Sequence, residues 1–357
     1  MVEAVYAEVR MRNIGTKNMI NVLDEFREKI DGIMLRCMNK RVAIYGYDSY
    51  TGRFLKWYAD YYHGIKIDWL ISEDMSVGHG YELEIFRPSV FDFGYKDIKD
   101  AIIWLAQPLT DELAENLEMW GYKENTTYFD FYKEVYGEDI YSQSDSATDA
   151  FRKKKVGKRD IQFLEWLEWK YGCNFLTPIS KDDFEVVDAH GSRYSCSTQK
   201  EIFPMIDHCH VHPSEDDAIF DFGCGKGGAM VTFCDYGFKK VGGVEYEPKT
   251  YEVAKDNFAA LGMDQVELLC GDARDIKEQL DAYNWFYFFF PFDKDVFTVV
   301  IDNIKESYLR KKRKLHIIYF TAMDYSFIEE TGIFRLTNQF TIDSRQRVVA
   351  ILESCEQ

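Results

Sequence analysis

Ala218 to Gly228 reads AIFDFGCGKGG, an apolar run of strand length that turns through glycines into a helical stretch, Met230 to Tyr236. Strand, tight glycine turn and helix in that order are the unit from which parallel α/β sheets are built. The alternation repeats downstream through VGGVEY (241–246), VELLCGDA (266–273), WFYFFF (285–290) and LHIIYF (315–320), each separated from the next by a stretch of helical character. Five strands alternating with helices predict a doubly wound sheet. Phe334 to Ile342 and Gln346 to Leu352 are again strand-like and close enough in sequence to pair as an antiparallel hairpin.

Gly223, Gly225 and Gly227 remove Cβ atoms where the backbone must turn sharply and approach a ligand, and the turn is expected to present free amides at the start of the next helix. Such a loop suits a phosphate or an amino-acid carboxylate, and by itself serves dinucleotide sites as well. Glu245 ends the second strand, about 20 residues after the loop, where a carboxylate accepts both ribose hydroxyls. Asp272 ends the third, where the exocyclic amine of an adenine would need an acceptor. One acid at a strand end can equally be a helix cap; the order of all three features carries the reading.

These residues resemble the class I S-adenosylmethionine-dependent methyltransferases, with that family's glycine loop on Asp221 to Gly228, its ribose-binding acid on Glu245 and its adenine-side acid on Asp272. The resemblance covers about half the chain. It implies a Rossmann-like sheet with a reversed last strand, S-adenosyl-L-methionine as cofactor, and a donor site drawn from Tyr194, Thr198, Asp221, Gly223, Cys224, Gly225, Gly227, Glu245, Tyr246, Asp272, Ala273 and Phe290. A nicotinamide enzyme would more often read GxGxxG, for which Gly228 falls one position early.

The fourth strand ends Phe288, Phe289, Phe290, Pro291, where methyltransferases of amino groups on bases or glutamine usually carry an Asn or Asp before the proline. Phe290 cannot accept from an amine, which argues for transfer to oxygen and leaves an aromatic wall against the methyl group or the acceptor. Phe288 reads as core. Upstream, Asp188 to Thr198 reads DAHGSRYSCST, the position of a segment that covers the donor in many members of the fold. Tyr194, Ser197 and Thr198 offer hydroxyls to the donor's carboxylate, and His190 is the candidate general base, set against an ordinary loop histidine. His208, His210 and His212 alternate in HCHVHP and would share one face of a strand, but no fourth ligand is evident and no metal is assigned.

The first part of the chain predicts a smaller α/β domain: strands at Arg41 to Tyr47, Ile67 to Ile71 and Ala101 to Ala106, and helices at Ile20 to Met38, Thr51 to Tyr62 and Asp111 to Trp120. Arg41 to Arg53, RVAIYGYDSYTGR, with IDWLISED and FDFY, is similar to the Rossmann-like domains attached to bacterial sugar- and polysaccharide-modifying enzymes. That likeness implies a binding or dimerisation domain, a glycan-precursor or other small-molecule acceptor, and a possible homodimer. The polar run from Asp139 to Ala150 marks the boundary, which gives domains at 1–140 and 161–357 joined by a linker at 141–160.

A chain of 357 residues with 46% hydrophobic and 29% charged content is globular and of two-domain size. Its formal charge of −18 disfavours nucleic acid and anionic membranes as partners. The basic run Arg310 to Lys314 is expected as a solvated helix terminus. Eight scattered cysteines without CxxC spacing suit the reduced thiols of a cytoplasmic protein. Aminopropyl transfer on the same fold and a non-catalytic nucleotide-binding module are the other readings.

Overall fold

The computed structural model describes residues 20–46, 54–55, 67–76, 83–92, 96–137, 140, 162–179, 194–209, 213–290, 292–342 and 345–355. The chain divides into two compact units between Lys170 and Tyr171.

The first unit is a five-stranded parallel sheet of β1 (Val42–Tyr45), β2 (Trp69–Ile71), β3 (Glu84–Phe86), β4 (Ile102–Leu105) and β5 (Tyr128–Asp130), ordered β3-β2-β1-β4-β5. Central β1 and β4 are buried along their whole length, as expected for parallel strands covered on both faces. β3 and β5 have three residues each, too short to show a period, and sequence reading missed both as strands. The expected helix at Asp111 to Trp120 spans Asp111–Met119, N-capped by Thr110, whose Oγ1 accepts from the Leu113 amide at 3.2 Å. Of the expected helix at Thr51 to Tyr62, only Phe54 and Leu55 lie among the described residues.

One boundary shifts. The helix Phe163–Tyr171, expected to open the second domain, packs on the helix Ile20–Cys37 through Phe26, with ring centroids 6.0 Å from Phe163 and 5.6 Å from Trp166. Trp166 also donates its indole N–H to the carbonyl of Val135 at 3.0 Å. The apolar face of this helix is therefore satisfied by the first unit, which extends to Lys170 rather than ending at residue 140.

The second unit contains β6 (Ala218–Phe222), β7 (Lys240–Glu245), β8 (Glu267–Cys270), β9 (Trp285–Phe289), β10 (His316–Phe320), β11 (Phe334–Ile342) and β12 (Arg347–Ser354), ordered β11-β12-β10-β9-β6-β7-β8. β6 to β10 run parallel; β12 is antiparallel to both β10 and β11. The hairpin's second strand, not its first, pairs with β10 and leaves β11 at the sheet's edge, because Val349 to Leu352 are all fully buried whereas β11 is mostly half-exposed. In β7, a Cβ on Gly243 would stand 2.8 Å from the Met230 sulfur and 2.9 Å from Cys224 Cβ, so glycine there lets the helix Gly228–Tyr236 lie close against the sheet. Phe222 and Phe288 stack at 4.8 Å between neighbouring strands, which fixes Phe288 as core.

One smaller expectation is revised. Arg310 and Arg313, in the basic run, are not simply solvated: Arg310 pairs with Asp281 at 2.9 Å, and Arg313 donates to the carbonyls of Leu280 and Tyr283 at 2.7 Å each. All eight cysteines are free thiols. No helix among the described residues is long and apolar enough to cross a membrane.

Candidate functional site

The sheet's order reverses between β6 and β9, and the glycine loop follows the carboxyl end of β6 there. Gly223 and Cys224 both donate backbone N–H to the Val244 carbonyl, at 2.9 and 3.0 Å, which ties the loop to β7. Gly223, Gly225 and Gly227 have φ of 75°, 57° and 83°, in the left-handed region that L side chains avoid. A Cβ on Gly225 would lie 2.6 Å from the Tyr194 ring, and one on Gly227 2.6 Å from Phe258.

The loop differs in one respect from the sequence expectation of free amides. Gly223, Cys224, Gly225 and Gly227 all donate inside the protein, the last to the Cys224 carbonyl at 3.0 Å. These glycines supply close approach and a fixed turn rather than a nest of donors.

Glu245 is held from both sides. Its Oε2 accepts the Gly225 N–H and its Oε1 the Glu247 N–H, each at 2.9 Å. The Tyr246 N–H is a third backbone donor to this carboxylate, so of the four lone pairs on its two oxygens one remains for a ligand's hydroxyl. Burial pushes the carboxyl of Glu245 upward against the pull of these backbone donors. Asp221, on β6 and 3% exposed, is raised from 3.8 to about 8 by burial and by the neighbouring Glu245. Burial also raises the Cys224 thiol well above its usual range, which makes it packing rather than a nucleophile.

Asp272 follows β8 and caps a 3-10 turn spanning Ala273–Asp275. The Arg274 guanidinium, with Nε 3.0 Å from each carboxylate oxygen, holds Asp272 below the usual carboxylate range. Its carboxylate is thus fixed in place, and Ala273 is buried beside it. Tyr246 and Phe290 are 40% and 38% exposed at the ends of β7 and β9. Phe290 takes a left-handed φ of 43°, an unusual conformation for a large side chain.

Upstream, the Tyr194 hydroxyl donates to the Phe175 carbonyl while its ring covers Gly225. Ser197 is 1% exposed and bonded to the Tyr287 hydroxyl at 2.7 Å, so it is withdrawn from any ligand. Thr198 caps the helix Gln199–Asp207, its N–H and hydroxyl both directed at Glu201 Oε2, at 2.8 and 3.4 Å. His190, His210, His212 and Pro291 lie outside the described residues. His208 stacks on Phe340 at 4.1 Å, and no group of three metal-ligating side chains occurs among the described residues.

Sequence reading passed over Lys226. Its side chain is 2% exposed and donates to Asn174 Oδ1 at 3.0 Å and to the Thr177 carbonyl at 2.7 Å. Asn257 completes the latch, donating to the carbonyls of Lys226 and Asn174 and accepting from the Asn174 N–H. A lysine between the loop glycines was visible, but its partners lie about 50 residues upstream in a segment without any local signal.

Residues 219–307 match a family described as a methyltransferase domain. A stretch of 70 residues is 38% identical to the uncharacterized protein MJ1452 of Methanocaldococcus jannaschii, covering 19% of this chain; the chain spans 27% of the length of that relative. Among solved structures, the chain is similar to TrmN from Thermus thermophilus, at 14% identity over 44% of this chain and 49% of that one, with a TM-score of 0.35. It is also similar to the mitomycin 7-O-methyltransferase MmcR, at 16% identity over 39% of this chain and 49% of that one, with a TM-score of 0.32.

Proposed function

We propose, from the premise that the second unit is a class I methyltransferase domain with S-adenosylmethionine as its cofactor, that this protein is an enzyme moving a methyl group to an oxygen of a small molecule or glycan precursor. The observation that carries the reading is Glu245, locked to the glycine loop and to Glu247 at the end of β7 while its carboxylate keeps acceptor capacity. A carboxylate so placed suits a ribose hydroxyl.

The cofactor, when bound, supplies a methyl group on a sulfonium that is already a good leaving group. This chain's residues then have to bind and orient. Glu245 would hold the ribose, Asp272 the adenine side, and the loop from Gly223 to Gly227 would let the ligand approach the backbone. Proximity and alignment would provide most of the acceleration. Transfer to oxygen is favoured because β9 ends in Phe289 and Phe290, without an amide or carboxylate to orient an amine. His190 is the candidate base for deprotonating a hydroxyl. A cytoplasmic setting accords with eight free thiols, and the first unit is read as a binding or dimerisation domain.

Calorimetric titration of the full chain with S-adenosylmethionine and S-adenosylhomocysteine, with NAD as control, tests the donor site. Micromolar binding that is lost in Glu245→Ala is expected; NAD binding, or no binding at all, would refute it. Release of S-adenosylhomocysteine on adding hydroxyl-bearing acceptors then tests transfer, and none with any acceptor would leave only a binding module.

A further inference from the structure

Residues 172–179 form neither helix nor strand, so no regular backbone ladder fixes their course and side chains have to do it. Lys226, between Gly225 and Gly227 of the loop, is 2% exposed and donates to Asn174 Oδ1 at 3.0 Å and to the Thr177 carbonyl at 2.7 Å. Tyr194 donates its hydroxyl to the carbonyl of Phe175, between those two residues. The Lys226 ammonium also lies 5.2 Å from the centroid of the Tyr194 ring, within the range at which a cation is drawn to an aromatic face. Segment, lysine and tyrosine thus brace one another in a closed circuit.

The circuit bears on Gly225. A Cβ there would lie 2.6 Å from the Tyr194 ring, so the ring is packed against the loop at the residue whose N–H holds Glu245 Oε2, at 2.9 Å. Gly225 has φ of 57°, and glycine leaves such a conformation more readily than any residue with a Cβ. The ring lying on it restricts which way its amide can turn. A methionine in place of Lys226 would fill much the same space without taking an ammonium out of water; what the lysine adds is the pair of hydrogen bonds and the attraction to the ring.

We propose that Lys226 and Tyr194 are positioning residues for Glu245: by holding the ring on Gly225 they keep the Gly225 amide aimed at Oε2, and so keep the carboxylate turned towards a ribose hydroxyl. The proposal rests on the reading of Glu245 as the ribose acceptor. Neither side chain has to touch the donor, and the effect falls on discrimination for the ribose hydroxyls rather than on the fold alone.

Calorimetric titration of the full chain with S-adenosylhomocysteine and with its 2′,3′-dideoxy analogue measures what the ribose hydroxyls contribute. The wild type should bind the dideoxy compound about tenfold more weakly, the loss of one hydrogen bond. Lys226→Met and Tyr194→Leu should each narrow that ratio to about threefold or less, through weaker binding of S-adenosylhomocysteine itself. The double variant should narrow it no further than Tyr194→Leu does, since both act through one ring. Residues that only stabilise the fold would lower the melting temperature and leave the ratio at its wild-type value. Tyr194→Leu retains the bonds from Lys226 to Asn174 and Thr177, so it decides the matter if Lys226→Met does not fold. An unchanged ratio in either folded variant, or losses that add in the double variant, would overturn the proposal. Wild type that binds both compounds equally, or neither, would instead refute Glu245 as the ribose acceptor, and the proposal with it.

Discussion

Replacing Gly225 by alanine perturbs the loop in two separable ways. The backbone at φ 57° remains left-handed, which costs an L residue about 1–2 kcal/mol. The new Cβ also stands 2.6 Å and 2.9 Å from two carbons of the Tyr194 ring. That ring cannot simply swing away, because its hydroxyl is bonded to the Phe175 carbonyl. Overpacking of this kind costs about 1–3 kcal/mol, so Gly225→Ala should lose roughly 2–5 kcal/mol in total. Tyr194→Ala removes the collision and leaves the backbone cost, so Gly225→Ala made in that background should lose only about 1–2 kcal/mol. Urea denaturation of the four proteins in the cycle, followed by circular dichroism, measures the difference. Equal costs in both backgrounds, within about 0.5 kcal/mol, would show that Tyr194 is not what forbids a side chain at Gly225.

Three further outcomes are expected. Because Asp221 is raised from 3.8 to about 8, the folded protein holds a proton there that the unfolded chain releases, and stability should fall as pH rises from about 4 through 8. Asp221→Asn lacks this slope, so the wild type should lose ground against it between pH 5 and pH 9 in paired denaturation curves, by roughly 1.4 kcal/mol for each pH unit over which the two states differ by a full proton. Lys226→Met leaves Asn174 Oδ1 and the Thr177 carbonyl without their donor; amide exchange around 173–177 should accelerate and the protein should lose about 1–3 kcal/mol. At Phe290, with φ 43°, asparagine tolerates the left-handed backbone and valine does not, so Phe290→Val should melt below Phe290→Asn by an amount equivalent to about 1–2 kcal/mol.

Local signals sufficed for the second unit. Strands at β6 to β10 were legible because each is a short apolar run between stretches of helical character, and the loop, Glu245 and Asp272 were legible because chain order alone places them at successive strand ends. β3 and β5 were not, since three residues show no period, and neither was the allegiance of Phe163–Tyr171, whose apolar face would serve either unit equally well.

The sequence by itself determined the strand and helix alternation, the glycine turn and the acids that follow it, because those depend on period, on Cβ sterics and on spacing along one chain. Only the tertiary structure decided that the loop amides are taken by Val244, Glu245 and Cys224, that β12 rather than β11 pairs with β10, and that Lys226 latches onto Asn174. Each of these is a choice of partner, and a buried donor or strand edge is satisfied by whichever group the fold brings within about 3 Å.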